Sequence, residues 1–136
     1  MNRVTFLDTG FLLALIRKSD QYHLAAVNGA RIYPEPYLTT ELALMELASA
    51  LARPPHRKAA TAVIQRILCD KNTEVVPWHT LTFREVLTFY QERVDKSWGV
   101  VDCFSFLIMQ QHQIVTALTF DIHFKQAGFH VPLIAT

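Results

Sequence analysis

What this sequence holds little of narrows its reading first. Only four glycines occur among 136 residues, and none forms the glycine-rich loop that cradles phosphates. Only two cysteines occur, Cys69 and Cys103; they make no CxxC pair and fall in segments that read as helical. The expectation is two buried structural thiols in a reducing compartment. Charged side chains make up 18% of the chain and are scattered along it. No low-complexity tract or internal repeat is visible, so disorder is not expected. Long apolar runs are missing too. Phe11–Ile16 is far short of the roughly 20 residues that span a bilayer. Asp8 interrupts the approach to it, and no small-residue cleavage site precedes Arg17-Lys18. Neither a membrane span nor a secretory leader is expected, and the cytoplasm is the expected location.

Hydrophobic residues, by contrast, reach 51%. At this length they suffice for one shared core, so residues 1–136 read as a single domain. Val4–Leu7 reads as a short buried strand ending at Asp8, and Phe11–Ile16 as the helix that follows. His23–Val27 suggests a short helix, and 32–39 an extended segment broken by Pro34 and Pro36. TELALMELASAL, Thr40 to Leu51, is rich in helix formers behind a capping threonine, and Arg53-Pro54-Pro55 reads as its stop. Helices are expected at Lys58–Cys69, Leu81–Glu92, Val101–His112 and Asp121–Gln126, the last ended by Gly128. Strands are expected at Thr73–Pro77, Ile114–Leu118 and Val131–Ile134. Strands alternating with helices imply an α/β fold, with a parallel or mostly parallel sheet covered on both faces.

In such sheets functional groups gather beyond the carboxyl ends of the strands. Asp8 and Asp121 both follow strands and face one crevice if those strands are neighbours. The alternative for each is a helix-capping acid favoured by the macrodipole. Glu46 has Leu42, Ala43, Ser49 and Ala50 as helical neighbours, so its carboxylate is expected to be partly buried and to need a partner; the alternative is an exposed position. Glu41 reads as a solvated first-turn acid. Asp102 opens the apolar helix VVDCFSFLIM with Ser105 on the same face; capping is its alternative. Several carboxylates together stay ionised only around a cation, and oxygen ligands favour Mg²⁺ or Mn²⁺ over zinc. His112 and His123 lack a paired histidine or cysteine at ligand spacing and are left outside the metal set.

Four blocks then stand out in order: Leu7-Asp8-Thr9; Glu46 in its helix; Asp95-Lys96-Ser97-Trp98 through Asp102-Cys103-Phe104-Ser105-Phe106; and Ala117-Leu118-Thr119-Phe120-Asp121-Ile122-His123-Phe124. Together they resemble the PIN-domain ribonucleases, and among these the VapC-type toxins of type II toxin–antitoxin systems. The likeness spans essentially the whole chain. It implies a PIN-like three-layer fold. It also implies that Asp8, Glu46, Asp102 and Asp121 are catalytic and metal-binding acids, with Thr9, Ser105, Thr119 and Asp95 in support. The implied activity is Mg²⁺- or Mn²⁺-dependent hydrolysis of RNA to a 5′-phosphate and a 3′-hydroxyl. The implied partners are RNA, a small antitoxin protein and a second copy of the chain, as a homodimer. With the four acids neutralised, 13 basic side chains face 8 acidic ones, a balance that suits a nucleic acid. Arg53, His56, Arg57, Lys58 and Lys96 are candidate phosphate contacts and Trp98 a candidate base-stacking surface; a solvated loop and a core tryptophan are the alternatives.

Four other readings compete. Asp8-Thr9-Gly10 is the triplet of aspartic proteases, but Gly10 leads into a helical run and no second copy follows. An α/β phosphatase with Asp8 as nucleophile expects another Asp where Gly10 stands. The chain also fits a non-toxin PIN-domain RNA-processing nuclease or a PIN-fold binding protein without activity, although the full set of acids disfavours the latter.

Overall fold

The computed structural model describes residues 3–135. Its elements run β1 (Thr5–Leu7), α1 (Thr9–Ile16), α2 (His23–Ile32), β2 (Tyr37–Thr40), α3 (Glu41–Ala50), α4 (Pro54–Cys69), β3 (Thr73–Val76), α5 (Phe83–Gln91), α6 (Val100–Gln111), β4 (Thr116–Leu118) and α7 (Ile122–Gln126). The four strands form one sheet in the order β3-β2-β1-β4, and every pairing is parallel.

Side chains alternate across a strand, and this alternation sorts the core into two layers. Phe6, Leu38, Val76 and Ala117 face one side and pack with Val86 and Phe89 of α5, Cys103–Met109 of α6 and Phe124 of α7. Leu7 and Leu118 face the other, with Phe11, Leu12 and Ala14 of α1, Ala26 of α2, Leu44 and Leu47 of α3 and Ala60 of α4. The sheet is therefore the middle of three layers, as the PIN-like expectation required. No helix among the described residues is long and apolar enough to cross a membrane.

The departures from the sequence reading have local causes. The expected strand at Val131–Ile134 does not form: only an isolated bridge joins His130 to Thr116, and Pro132 has no N–H to continue a ladder. Helix α2 runs on to Ile32 through Asn28-Gly29, because the missing side chain lets α2 approach the C-terminal segment. A Cβ on Gly29 would lie 2.9 Å from Leu133 Cδ2. Pro54 begins α4 rather than merely ending α3, since the N–H that proline lacks is one the first helical turn would leave unpaired anyway. Cys69 is exposed and only Cys103 is buried, and both are free.

Candidate active site

Strands β1 and β4 are hydrogen-bonded neighbours with Leu7 opposite Leu118, so the residues just past them share one end of the sheet. Asp8 leaves β1 in extended conformation (φ −86°, ψ 158°), and its side chain makes no cap to α1. It turns instead toward the loop after β4, where the Thr119 hydroxyl donates to Asp8 Oδ2 at 2.7 Å. The same hydroxyl accepts the Asp121 N–H at 3.0 Å. One buried threonine thus ties together two acids that are far apart in sequence.

Asp121 does cap its helix, accepting the His123 N–H at 2.9 Å through Oδ1. Asp102, in the first turn of α6, accepts the Gly99 N–H at 3.1 Å through Oδ2. The capping alternative is therefore correct for Asp102 and Asp121 without removing either from the cleft, because only part of each carboxylate is used. Asp8, Thr9, Glu46, Asp102 and Asp121 line a single open cleft of about 390 Å³, together with Gly10, Leu13, Asp20, Tyr22 and Phe120.

Glu46 reaches that cleft from α3 but is exposed, contrary to the burial expected from its apolar neighbours. The buried face of α3 is carried by Ala43, Leu44 and Leu47. The Thr9 hydroxyl holds Glu46, lying 3.0 Å from its Oε1 and 3.1 Å from the Ala43 carbonyl. Glu41 accepts the Trp78 N–H at 2.8 Å and so ties α3 to the turn after β3.

Burial raises the Asp8 carboxyl from 3.8 to about 7, against the Thr119 and Thr9 hydrogen bonds that lower it, and the nearby Asp121 and Asp102 add to the rise. Among the described residues, no lysine or arginine pairs with Asp8, Glu46, Asp102 or Asp121. The nearest nitrogen group is an imidazole: His123 Nδ1 lies 3.0 Å from Asp102 Oδ2 and 3.3 Å from Asp121 Oδ1. An acid cluster of this kind, with one carboxyl held neutral only by its surroundings, has the chemistry of a divalent-cation site. Asp102, Asp121 and His123 each offer a donor atom, and the three atoms lie within 4.8 Å of one another.

Other expected residues lie elsewhere. Asp95 is exposed and pairs with Lys96 at 3.2 Å, outside the cleft lining. Ser105 is buried in α6 and does not line the cleft either. Trp98 is buried, donates its indole N–H to Gln126 at 3.0 Å and packs on Phe89 and Phe106, so it is a core residue and no base-stacking surface. Arg53, His56, Arg57 and Lys58 are exposed around the start of α4. The Arg57 guanidinium there donates to the Ala52 carbonyl at 2.9 Å, and Arg17 donates to the Ala50 carbonyl at 3.2 Å. His112 lies by Val4 and Ile114, at the opposite end of the sheet.

Sequence reasoning missed the cleft's third wall. Asp20 accepts the Tyr22 N–H at 2.8 Å, and Tyr22 stacks on Phe120 with ring centroids 4.5 Å apart. Nothing in the local pattern marked these residues, since only the packing of α2 beside the β4 loop brings them together. His123 was set aside for want of a partner at ligand spacing. Its partner, Asp102, is 21 positions away.

The sequence profile of the PIN domain matches residues 5–130. Among solved structures, VapC20 of Mycobacterium tuberculosis, a toxin that cleaves the sarcin–ricin loop, superposes with a TM-score of 0.83 at 25% identity, over 93% of this chain and 95% of that one. A toxin–antitoxin complex from Klebsiella pneumoniae gives a TM-score of 0.63 at 14% identity, over 97% of this chain and 96% of that chain, a likeness of fold alone. No curated protein sequence matches the chain at a significant level.

Proposed function

The chain belongs to the PIN domain family, and on that premise we propose that it is a metal-dependent endoribonuclease, the toxin of a toxin–antitoxin pair, acting as one domain in the cytoplasm. Asp8, Glu46, Asp102 and Asp121 are its proposed metal-binding and catalytic acids. One observation carries the reading: acids from β1, α3, α6 and the loop after β4 converge on a single cleft with no lysine or arginine among the described residues to neutralise them. The likeness to VapC20 supports a structured RNA as the substrate class.

Asp8, Glu46, Asp102 and Asp121 would hold Mg²⁺ or Mn²⁺, which would supply positive charge beside the scissile phosphate and lower the pKa of an attacking water. The chain's own residues position that chemistry. The Thr119 hydroxyl fixes Asp8 Oδ2. Thr9 orients Glu46, and the Gly99 N–H orients Asp102. Attack by water on phosphorus breaks the bond to the 3′-oxygen, which leaves as a 3′-hydroxyl while the 5′-phosphate stays on the downstream fragment. The stacked Tyr22–Phe120 pair gives the cleft an aromatic wall that suits a base.

Cleavage of RNA in Mg²⁺ or Mn²⁺ that stops with a chelator and leaves 5′-phosphate ends is the expected result. Full activity in excess chelator, or 2′,3′-cyclic phosphate ends, overturns the proposal, because a metal-free ribonuclease uses the 2′-hydroxyl as nucleophile.

An antitoxin and a second copy of the chain are the proposed protein partners. Leu24 (76% exposed), Phe83 (67%) and Val94 (92%) leave apolar side chains uncovered on α2, on α5 and just beyond α5, where a partner could cover them. Sedimentation of the isolated chain as a dimer at micromolar concentration is expected; a monomer there removes the homodimer.

A further inference from the structure

We infer that His123 is a nitrogen ligand of this site, which gives the cleft a mixed nitrogen and oxygen donor set and a preference for Mn²⁺ over Mg²⁺. The inference rests on the reading of the cleft as a metal site and adds a ligand that the four acids do not supply.

The geometry begins with one atom. His123 Nδ1 faces two carboxylates at once, Asp102 Oδ2 at 3.0 Å and Asp121 Oδ1 at 3.3 Å. A single proton on Nδ1 can be given fully to only one of them, and each of those oxygens already accepts a backbone N–H. A cation among the three atoms bonds to all of them. Neighbouring ligands of an octahedral ion held at about 2.0–2.1 Å lie roughly 3 Å apart, and both contacts to Nδ1 are close to that edge length.

The far side of the ring is a separate observation. Ser97 Oγ lies 3.4 Å from His123 Nε2. With Nε2–H donating to that hydroxyl, Nδ1 is left with its lone pair toward the acids, the tautomer a metal needs. Ligand histidines are commonly oriented by such an outer acceptor. The backbone holds the ring in place, since the His123 N–H is itself bound by Asp121.

The donor set then decides the ion. Mg²⁺ binds oxygen and keeps much of its water, whereas imidazole suits transition metals. Exchanging one oxygen donor for an imidazole therefore favours Mn²⁺.

The test reads metal binding, not cleavage. Metal-free wild type, His123→Ala and Asp8→Asn proteins are titrated by calorimetry with Mn²⁺ and, separately, Mg²⁺. Pulsed electron paramagnetic resonance of the Mn²⁺-loaded wild type then looks for directly bonded nitrogen. We expect a nitrogen coupling in the wild type and at least a tenfold or so loss of Mn²⁺ affinity in His123→Ala. Mg²⁺ affinity should fall by less than about threefold. Bound Mn²⁺ without nitrogen coupling overturns the inference whether or not the variant folds, and so does equal weakening of both ions. If both ions bind and Asp8→Asn abolishes binding while His123→Ala changes nothing, the acid site stands and only the nitrogen ligand falls. If neither ion binds the wild type, the metal reading of the cleft falls with it.

Discussion

Two walls of the cleft hold the four proposed acids in different ways. On the side of β1, α1 and α3, Asp8 and Glu46 are each fixed by a threonine hydroxyl, from Thr119 and Thr9. On the side of α6 and α7, Asp102 and Asp121 are fixed by backbone N–H groups and share an imidazole. The second wall is largely satisfied by its own helix ends, whose dipoles favour negative charge. The first has only neutral donors, and its inner acid, Asp8, is pushed up to about 7 by burial. The comparison teaches that, in the proposed metal site, a cation would be needed most at Asp8, while Asp102 and Asp121 are already held in place by backbone donors.

The sharpest way to break this comparison is to remove charge from each wall in turn. Asp8→Asn and Asp102→Asn should each lower metal-dependent RNA cleavage by more than about 100-fold, since losing a ligand exceeds the loss of an outer-shell partner. Quantitative cleavage assays in Mn²⁺ and Mg²⁺ check this, and near-normal activity in both variants sinks the shared site. Charge at the first wall also bears on stability. Asp8 holds in the folded chain a proton that the unfolded chain releases, because its folded value of about 7 lies above 3.8. Its stabilising contribution is full below the unfolded value and is lost as pH rises toward 7. In chelator, Asp8→Asn should therefore gain on the wild type across that window, by on the order of 1–3 kcal/mol given its partly exposed setting. Divalent metal should close the gap, and thermal melts at several pH values show whether it opens at all.

Smaller effects test the hydroxyls. Thr119→Val keeps the shape of the side chain but removes the donor to Asp8 and the acceptor for the Asp121 N–H. We expect about tenfold weaker metal binding and a stability loss of about 1–3 kcal/mol from the unsatisfied buried groups. Calorimetry and denaturant melts separate the two, and unchanged values in both would show that the threonine does not organise the site. Glu46→Gln, at an exposed position, should cost less than about tenfold in metal affinity; a loss as large as that of Asp8→Asn would reverse the ranking of the walls. Tyr22→Ala should cost least, about 1 kcal/mol of RNA binding at the low end of base stacking. It should appear in KM for a short RNA with metal affinity intact, and a change confined to kcat contradicts that role.

Legibility followed the range of the interactions. Strand–helix alternation and the position of Asp8 and Asp121 past their strands were readable because both rest on local pattern. Glu46 was picked out by an argument about buried faces that its exposure does not support, although α3 does carry it to the cleft. Trp98 next to Lys96 looked like a nucleic-acid contact because sequence cannot tell a loop from the lid of a core. Tyr22 and Phe120 were missed, and His123 was set aside, because each takes its place at the cleft from a neighbour brought in by tertiary packing. Proline was misjudged in both directions: Pro54 starts a helix, and Pro132 stops a strand that β-branched neighbours suggested.

The strand order carries a consequence for how the molecule is made. β1 is synthesised first, yet its outer neighbour is β4, and Thr119, which anchors Asp8, lies 111 positions further along the chain. Until that segment has been translated, the buried edge of β1 has no partner and Asp8 has no hydroxyl to hold it. Chains elongate at about 5–20 residues per second, so the interval between making the first acid and completing its surroundings is several seconds or more. A chain cut short before Thr119 would lack both β4 and the hydroxyl that holds Asp8, so the first acid of the cleft depends for its placement on a segment near the other end of the sequence.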